Sequence, residues 1–173
     1  AWAPRRRGKP AIRVSRAHCT AACGDARVLL ERLQSLAITV GPERRARWSR
    51  QLGEACFALG DLAAAGTHLE ESLSRLGRGQ PSSKAGWTAS VAAGVARQLW
   101  SRTVGRRSRR VDQRDAEASL AASRMASLHF FKDDSLGLLG SALAAANLAE
   151  RAGGAVPIAE IYSQLGYVAG LAH

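Results

Sequence analysis

Apolar residues recur along the chain at the three-and-four spacing of an amphipathic helix, in stretches separated by proline, glycine and aspartate. All five prolines fall between such stretches and none inside one, as expected of helix starts and connections. The pattern predicts seven helices, over about 24–38, 43–59, 62–76, 84–104, 112–132, 135–152 and 158–172. Gly60-Asp61 and Asp133-Asp134-Ser135 are breaks of two and three residues between long apolar stretches, too short for anything but antiparallel helical hairpins. The stretch LGRGQPSSK at 76–84 reads as a loop, and so does GRRSRR at 105–110, where like charges crowd one turn. Residues 1–23 carry no helical period and read as a disordered basic segment ahead of a helical domain over 24–173. The chain starts with Ala1 and stops inside the last helical pattern, so a fragment of a longer array is expected.

Composition narrows the class. Alanine fills 34 positions and leucine 20, while aromatic residues make up 5%, which favours helices packed closely through small side chains and excludes an all-β core. The net charge of +11 suggests a nucleic-acid binder until its distribution is considered. Residues 1–16 and 97–114 together carry +12, and the rest sums to −1, so the body is near neutral with two arginine-rich blocks attached. Three cysteines, Cys19, Cys23 and Cys56, are too few and odd in number for a disulfide framework, and a reducing cytoplasm is the expected setting. The longest uncharged run, Ser135 to Ala149, has 15 residues. A membrane-spanning helix needs about 20, so no membrane role is expected.

Hairpins in series invite a search for a repeat. Within residues 46–77, ARWSRQLGEACFALGDLAAAGTHLEESLSRLG, the pairs Leu52-Gly53 and Gly60-Asp61 precede Ala65, Leu69 and Leu73. Gly53 and Ala65 are small where two helices of a hairpin would cross, and Leu52, Leu62, Leu69 and Leu73 would fill the seam. These offsets resemble a tetratricopeptide unit, with Cys56 in the usual aromatic position, Ser72 in place of alanine and Gly77 in place of the closing proline. Weaker echoes follow at Asp134, 73 residues after Asp61, and at Leu165-Gly166. Neither separation is a multiple of the 34-residue period, which implies an irregular array. The succession of a degenerate repeat, an odd helix, an arginine-rich break, HFFKDD, NLAERAG and a Leu-Gly helix resembles the helical C-terminal region of bacterial multidomain signalling ATPases, which often carry a class III adenylate or guanylate cyclase domain. That resemblance implies a regulatory segment whose partners include other domains of the same parent chain.

Catalytic chemistry finds no foothold. The sole Gly-Lys pair, Gly8-Lys9, runs into Pro10, and no GxxxxGK[ST] loop occurs. His18, Cys19 and Cys23 form an H-C-x3-C cluster without a second ligand pair, so no metal is expected. His68 and His129 each lie on a helix with no nucleophile at a telling spacing and read as packing residues. Trp87, Val91, Val95, Leu99 and Trp100 read as a buried stripe of one helix. No catalytic, cofactor-binding or metal-ligating residue is assigned.

Binding is the expected role. On the 43–59 helix the groove-facing positions of a tetratricopeptide unit are Arg47, Arg50, Glu54 and Phe57, where charges would orient a peptide and Phe57 would anchor it. Tetratricopeptide families that clamp a C-terminal carboxylate use a basic residue and an asparagine on this face, a pattern this chain only half matches. Arg50 matches the first, and Glu54 replaces the second. Arg106, Arg107, Arg109 and Arg110 are candidate polyanion contacts, although no aromatic or base-reading residues interleave with them. The expectation is therefore an all-α irregular superhelix of about seven helices in tetratricopeptide-like hairpins, acting without catalysis as a cytoplasmic protein–protein interaction or regulatory segment. A nucleic-acid-binding helical protein using the arginine blocks is the alternative.

Overall fold

A computed structural model describes residues 24, 25, 27, 28, 32, 41–104 and 112–153, without the side chains of 102 and 104. The described residues are all-helical, with five helices: α1 (Pro42–Ala58), α2 (Leu62–Arg75), α3 (Lys84–Val104), α4 (Gln113–Phe131) and α5 (Ser135–Ala152). Each falls within a residue of its sequence expectation. Residues 24, 25, 27, 28 and 32 of the first expected helix are helical, and the expected helix at 158–172 lies outside the described residues.

The helix ends follow from local chemistry. Pro42 opens α1 with Glu43 in the first turn, where an acid meets the positive end of the helix dipole. Asp61 and Asp134 are the N-caps of α2 and α5, each accepting at 3.0 Å from the backbone N–H three residues on, Ala64 and Gly137. Asp112 caps α4 in the same way through Arg114 N–H at 2.9 Å. The turns into α2 and α5 match as well: Gly60 has φ +83° and Asp133, 73 residues later, has φ +53°. Ser83 caps α3, its Oγ accepting from Gly86 N–H at 3.1 Å.

α1 and α2 form one antiparallel hairpin, and α4 and α5 form another. α4 packs on both α1 and α2, so the hairpins stack, while among the described residues α3 packs mainly on α5 and touches α4 through Trp87 and His129. Shifting the first hairpin by 73 residues brings its buried positions on α1 (46, 49, 52, 53, 55 and 56) onto buried 119, 122, 125, 126 and 128 and half-buried His129 of α4. The second half of α2 matches too, since Leu69, Ser72, Leu73 and Leu76 correspond to buried Ala142, Ala145, Ala146 and Ala149. The two hairpins thus share a pattern of buried positions and are separated by a segment that contains α3.

The crossing expected at Gly53 is present, because a side chain there would start 2.8 Å from Leu69 Cγ and 3.2 Å from the Ala65 carbonyl. Ser72 donates to the Ala46 carbonyl at 2.8 Å inside the seam, which satisfies a hydroxyl that alanine would not carry. Gly77 closes α2 at φ +69°, with Arg78 N–H donating to the Leu73 carbonyl at 2.8 Å.

The expectation for the α3 stripe needs correction. Trp87 and Val91 do face α5, where a side chain at Gly140 would strike Trp87 and touch Val91, but Val95, Leu99 and Trp100 are exposed by 43%, 61% and 68%. The seam runs instead through Trp87, Val91, Gly94, Gln98 and Ser101. Gly94 admits Leu143, Gln98 donates to Asn147 at 3.2 Å, and Ser101 donates to Glu150 at 3.1 Å. A seven-residue contact spacing carries the interface away from the apolar residues at 95 and 99.

Candidate functional site

The positions expected to line a groove lie where α1 faces α4. Arg47 Nε donates to Glu117 Oε1 at 2.8 Å, and Arg50 Nε donates to Glu117 Oε2 at 3.0 Å. Arg50 Nη1 also donates to Glu54 Oε1 at 2.7 Å, and Arg124 Nε reaches the same oxygen at 3.4 Å. One turn further on, Phe57 meets Phe131 edge-to-face with ring centroids 5.5 Å apart, and Phe130 lies 5.6 Å from Phe131. The structure therefore brings Arg47, Arg50, Glu54 and Phe57 together and adds Glu117, Arg124, Phe130 and Phe131 of α4 as their counterparts.

Two tiers of this ladder differ in chemistry. The Arg50 side chain is 12% exposed and shared by two carboxylates. Burial opposes its charge, but Glu54 and Glu117 outweigh it and hold the guanidinium proton more firmly than in water. Arg50 is thus a structural tie between the hairpins and is not positioned as an unpaired clamp for a ligand carboxylate. Arg47 is half exposed, and Arg124 is 40% exposed. Phe130 and Phe131 are exposed by 43% and 61%. These outer groups can meet a partner without breaking the core.

Sequence reasoning missed Glu117, Arg124 and Phe131 because their role depends on which helix lies beside α1. Their seven-residue spacing places them on one face of α4, and that signal could have found them. His129 is 14% exposed, with Nδ1 2.8 Å from Asp134 Oδ2 and its ring edge-to-face with Trp87 at 5.4 Å. It joins the α4–α5 turn to α3.

Arg106, Arg107, Arg109 and Arg110, together with the His18, Cys19 and Cys23 cluster, lie outside the described residues. Among the described residues no group of three or more histidine, cysteine or acidic side chains is placed to hold a metal, and no helix is long and apolar enough to cross a membrane. Compared with protein-family models, with curated proteins and with solved structures, the chain gives no match.

Proposed function

We propose that this chain is a non-catalytic protein–protein interaction segment of tetratricopeptide type, working in the cytoplasm as a regulatory part of a larger bacterial signalling protein of the cyclase or ATPase kind. Its ligand is a peptide, or a segment of another domain of the same parent chain, lying along the shared face of α1 and α4. The observation that carries this reading is the aromatic group of half-buried Phe57 with exposed Phe130 and Phe131 at one end of a charged ladder. Such a pairing offers an apolar anchor and an orienting set of charges. Two stacked hairpins matched at 73 residues support the repeat assignment. The offset is one 34-residue unit plus an insertion that accommodates α3.

Selection from a random peptide library tests the reading. Enriched peptides should carry an apolar or aromatic anchor beside acidic residues, and should lose at least tenfold in affinity to the Phe131→Ser variant, a change of about 1.4 kcal/mol or more. Enriched peptides that bind the variant equally well would place the interaction elsewhere. DNA or RNA binding that survives about 200 mM salt and disappears when Arg106, Arg107, Arg109 and Arg110 are all replaced by serine would establish the nucleic-acid alternative instead.

A further inference from the structure

A second concave site lies between α3, α5 and the loop that follows α2, and it shares no residue with the α1/α4 face. Its cavity measures about 170 Å³. By the volume a bound water requires, that leaves room for roughly ten water-sized groups. Arg78 from the loop, Arg97 from α3 and Arg151 from the last turn of α5 border it, with the Ser90 hydroxyl on one wall and Trp87 and Pro81 on the apolar side. Three separate elements therefore deliver guanidinium groups to one small cleft.

The charges there do not balance. Asp115, buried with 7% exposure, takes Arg78 Nη2 at 2.9 Å on Oδ1 and Arg151 Nε at 3.3 Å on Oδ2. No carboxylate of a described residue lies within ion-pair distance of Arg97. Burial, with repulsion from Arg78 and Arg97, lowers the proton affinity of Arg151 in spite of Asp115 and Asp112. Like charges that weaken one another are stabilised by an anion between them, and three guanidinium groups against Asp115 in contact and Asp112 further off leave an excess of positive charge.

We propose that this cleft binds a compact phosphate monoester, with its phosphoryl group among Arg78, Arg97 and Arg151 and its short organic part against Trp87 and Pro81. A phosphoryl group carries between about −1.5 and −2 at neutral pH, which is opposite in sign to the excess, and the planar fork of arginine suits paired phosphate oxygens. Ser90 adds a hydroxyl donor. Because Asp115 orients Arg78 and Arg151 from behind, Arg97 is the group whose charge the ligand completes.

Calorimetric titration of the full 173-residue chain at constant ionic strength tests the site, with inorganic phosphate, glycerol phosphate and succinate as probes. Saturable one-to-one binding of glycerol phosphate is expected, tighter than inorganic phosphate and tighter than succinate. It should weaken about tenfold or more in Arg97→Ala, as loss of a charged hydrogen-bond donor implies. Arg97 is exposed, so a normal melting curve should accompany that loss. Arg75→Ala, which removes an arginine paired with Glu71 on α2, should leave binding unchanged. Affinity should also fall as pH drops through about 6, where the phosphoryl group takes up a proton. No saturable heat, equal weakening in both variants, or a preference for succinate would overturn the assignment.

Discussion

The two hairpins share a frame and differ in what covers them. In the first, α2 packs on α1 and α4 and leaves Ala63, Thr67, Glu70 and Ser74 exposed, so one buried face suffices and large residues fill it: Leu69, Leu73 and Leu76 are at most 2% exposed. In the second, α5 is covered by α4 on one side and by α3 on another. The matched positions become Ala142, Ala146 and Ala149, and the exposed Thr67 becomes the buried Gly140. A helix sandwiched between two neighbours has less room on each side, and small residues let both backbones approach. The alanines at these α5 positions thus accompany its coverage by α3.

Exchanging residues at one matched position should break the comparison most sharply. Gly140→Thr would drive a branched side chain into the Trp87 ring, since even a Cβ there would lie 2.5 Å from Trp87 Cε3. A loss of about 3 kcal/mol is expected from such overpacking. Thr67→Gly at the equivalent exposed site should cost only about 0.3 kcal/mol, the difference in helix propensity. Urea unfolding of both variants measures the pair, and equal costs would mean that α3 does not press on α5.

Gly53→Leu comes next, at about 2 to 3 kcal/mol, because the new side chain must share the crossing with Leu69. At the matched site the crossing residues are Ala126 and Ala142, and the leucine has moved to half-buried Leu138. The second hairpin therefore shifts bulk along its seam, and it does not copy the first hairpin's glycine-against-leucine contact. Thermal melts within a degree of the parent would remove Gly53 from the crossing.

How far all this was legible in the sequence depends on where each signal resides. Helix ends rest on local chemistry, so Pro42, the Asp61 and Asp134 caps and the Gly77 stop announce themselves, and the five described helices lie close to expectation. The 73-residue echo was visible through Asp61 and Asp134 alone, because leucine-to-alanine replacement erases the rest of the pattern. The α3 seam was not legible. It is built from Gly94, Gln98 and Ser101, whose fit to Leu143, Asn147 and Glu150 leaves no hydrophobic period. The α1/α4 ladder was half legible, since one helix of a groove can be read by repeat offsets but its neighbour depends on how the chain returns after the insertion.

The smallest expected effect lies at the caps, where the hairpins are most alike. Asp61 and Asp134 accept equivalent backbone hydrogen bonds, but position 56 is a cysteine and its counterpart is His129, which sits 2.8 Å from Asp134. The Gly137 N–H, followed by His129, holds the Asp134 carboxyl below its ordinary range. A carboxylate with a depressed folded value stabilises the fold fully above its unfolded value, about 3.9, and loses that contribution as pH falls through the folded value. Asp134→Asn keeps an oxygen acceptor for Gly137 but removes the charge facing His129. The parent should therefore melt higher than this variant at about pH 6, and the gap should close as pH falls below the ordinary carboxylate range. With Asp134 44% exposed, screening keeps the difference under about 1 kcal/mol. Asp61 faces the permanently charged Arg27 at 3.6 Å where Asp134 faces a histidine, so Asp61→Asn should show a gap of similar size at about pH 6. A gap for Asp134→Asn that persists unchanged at low pH would show that charge at this cap contributes nothing.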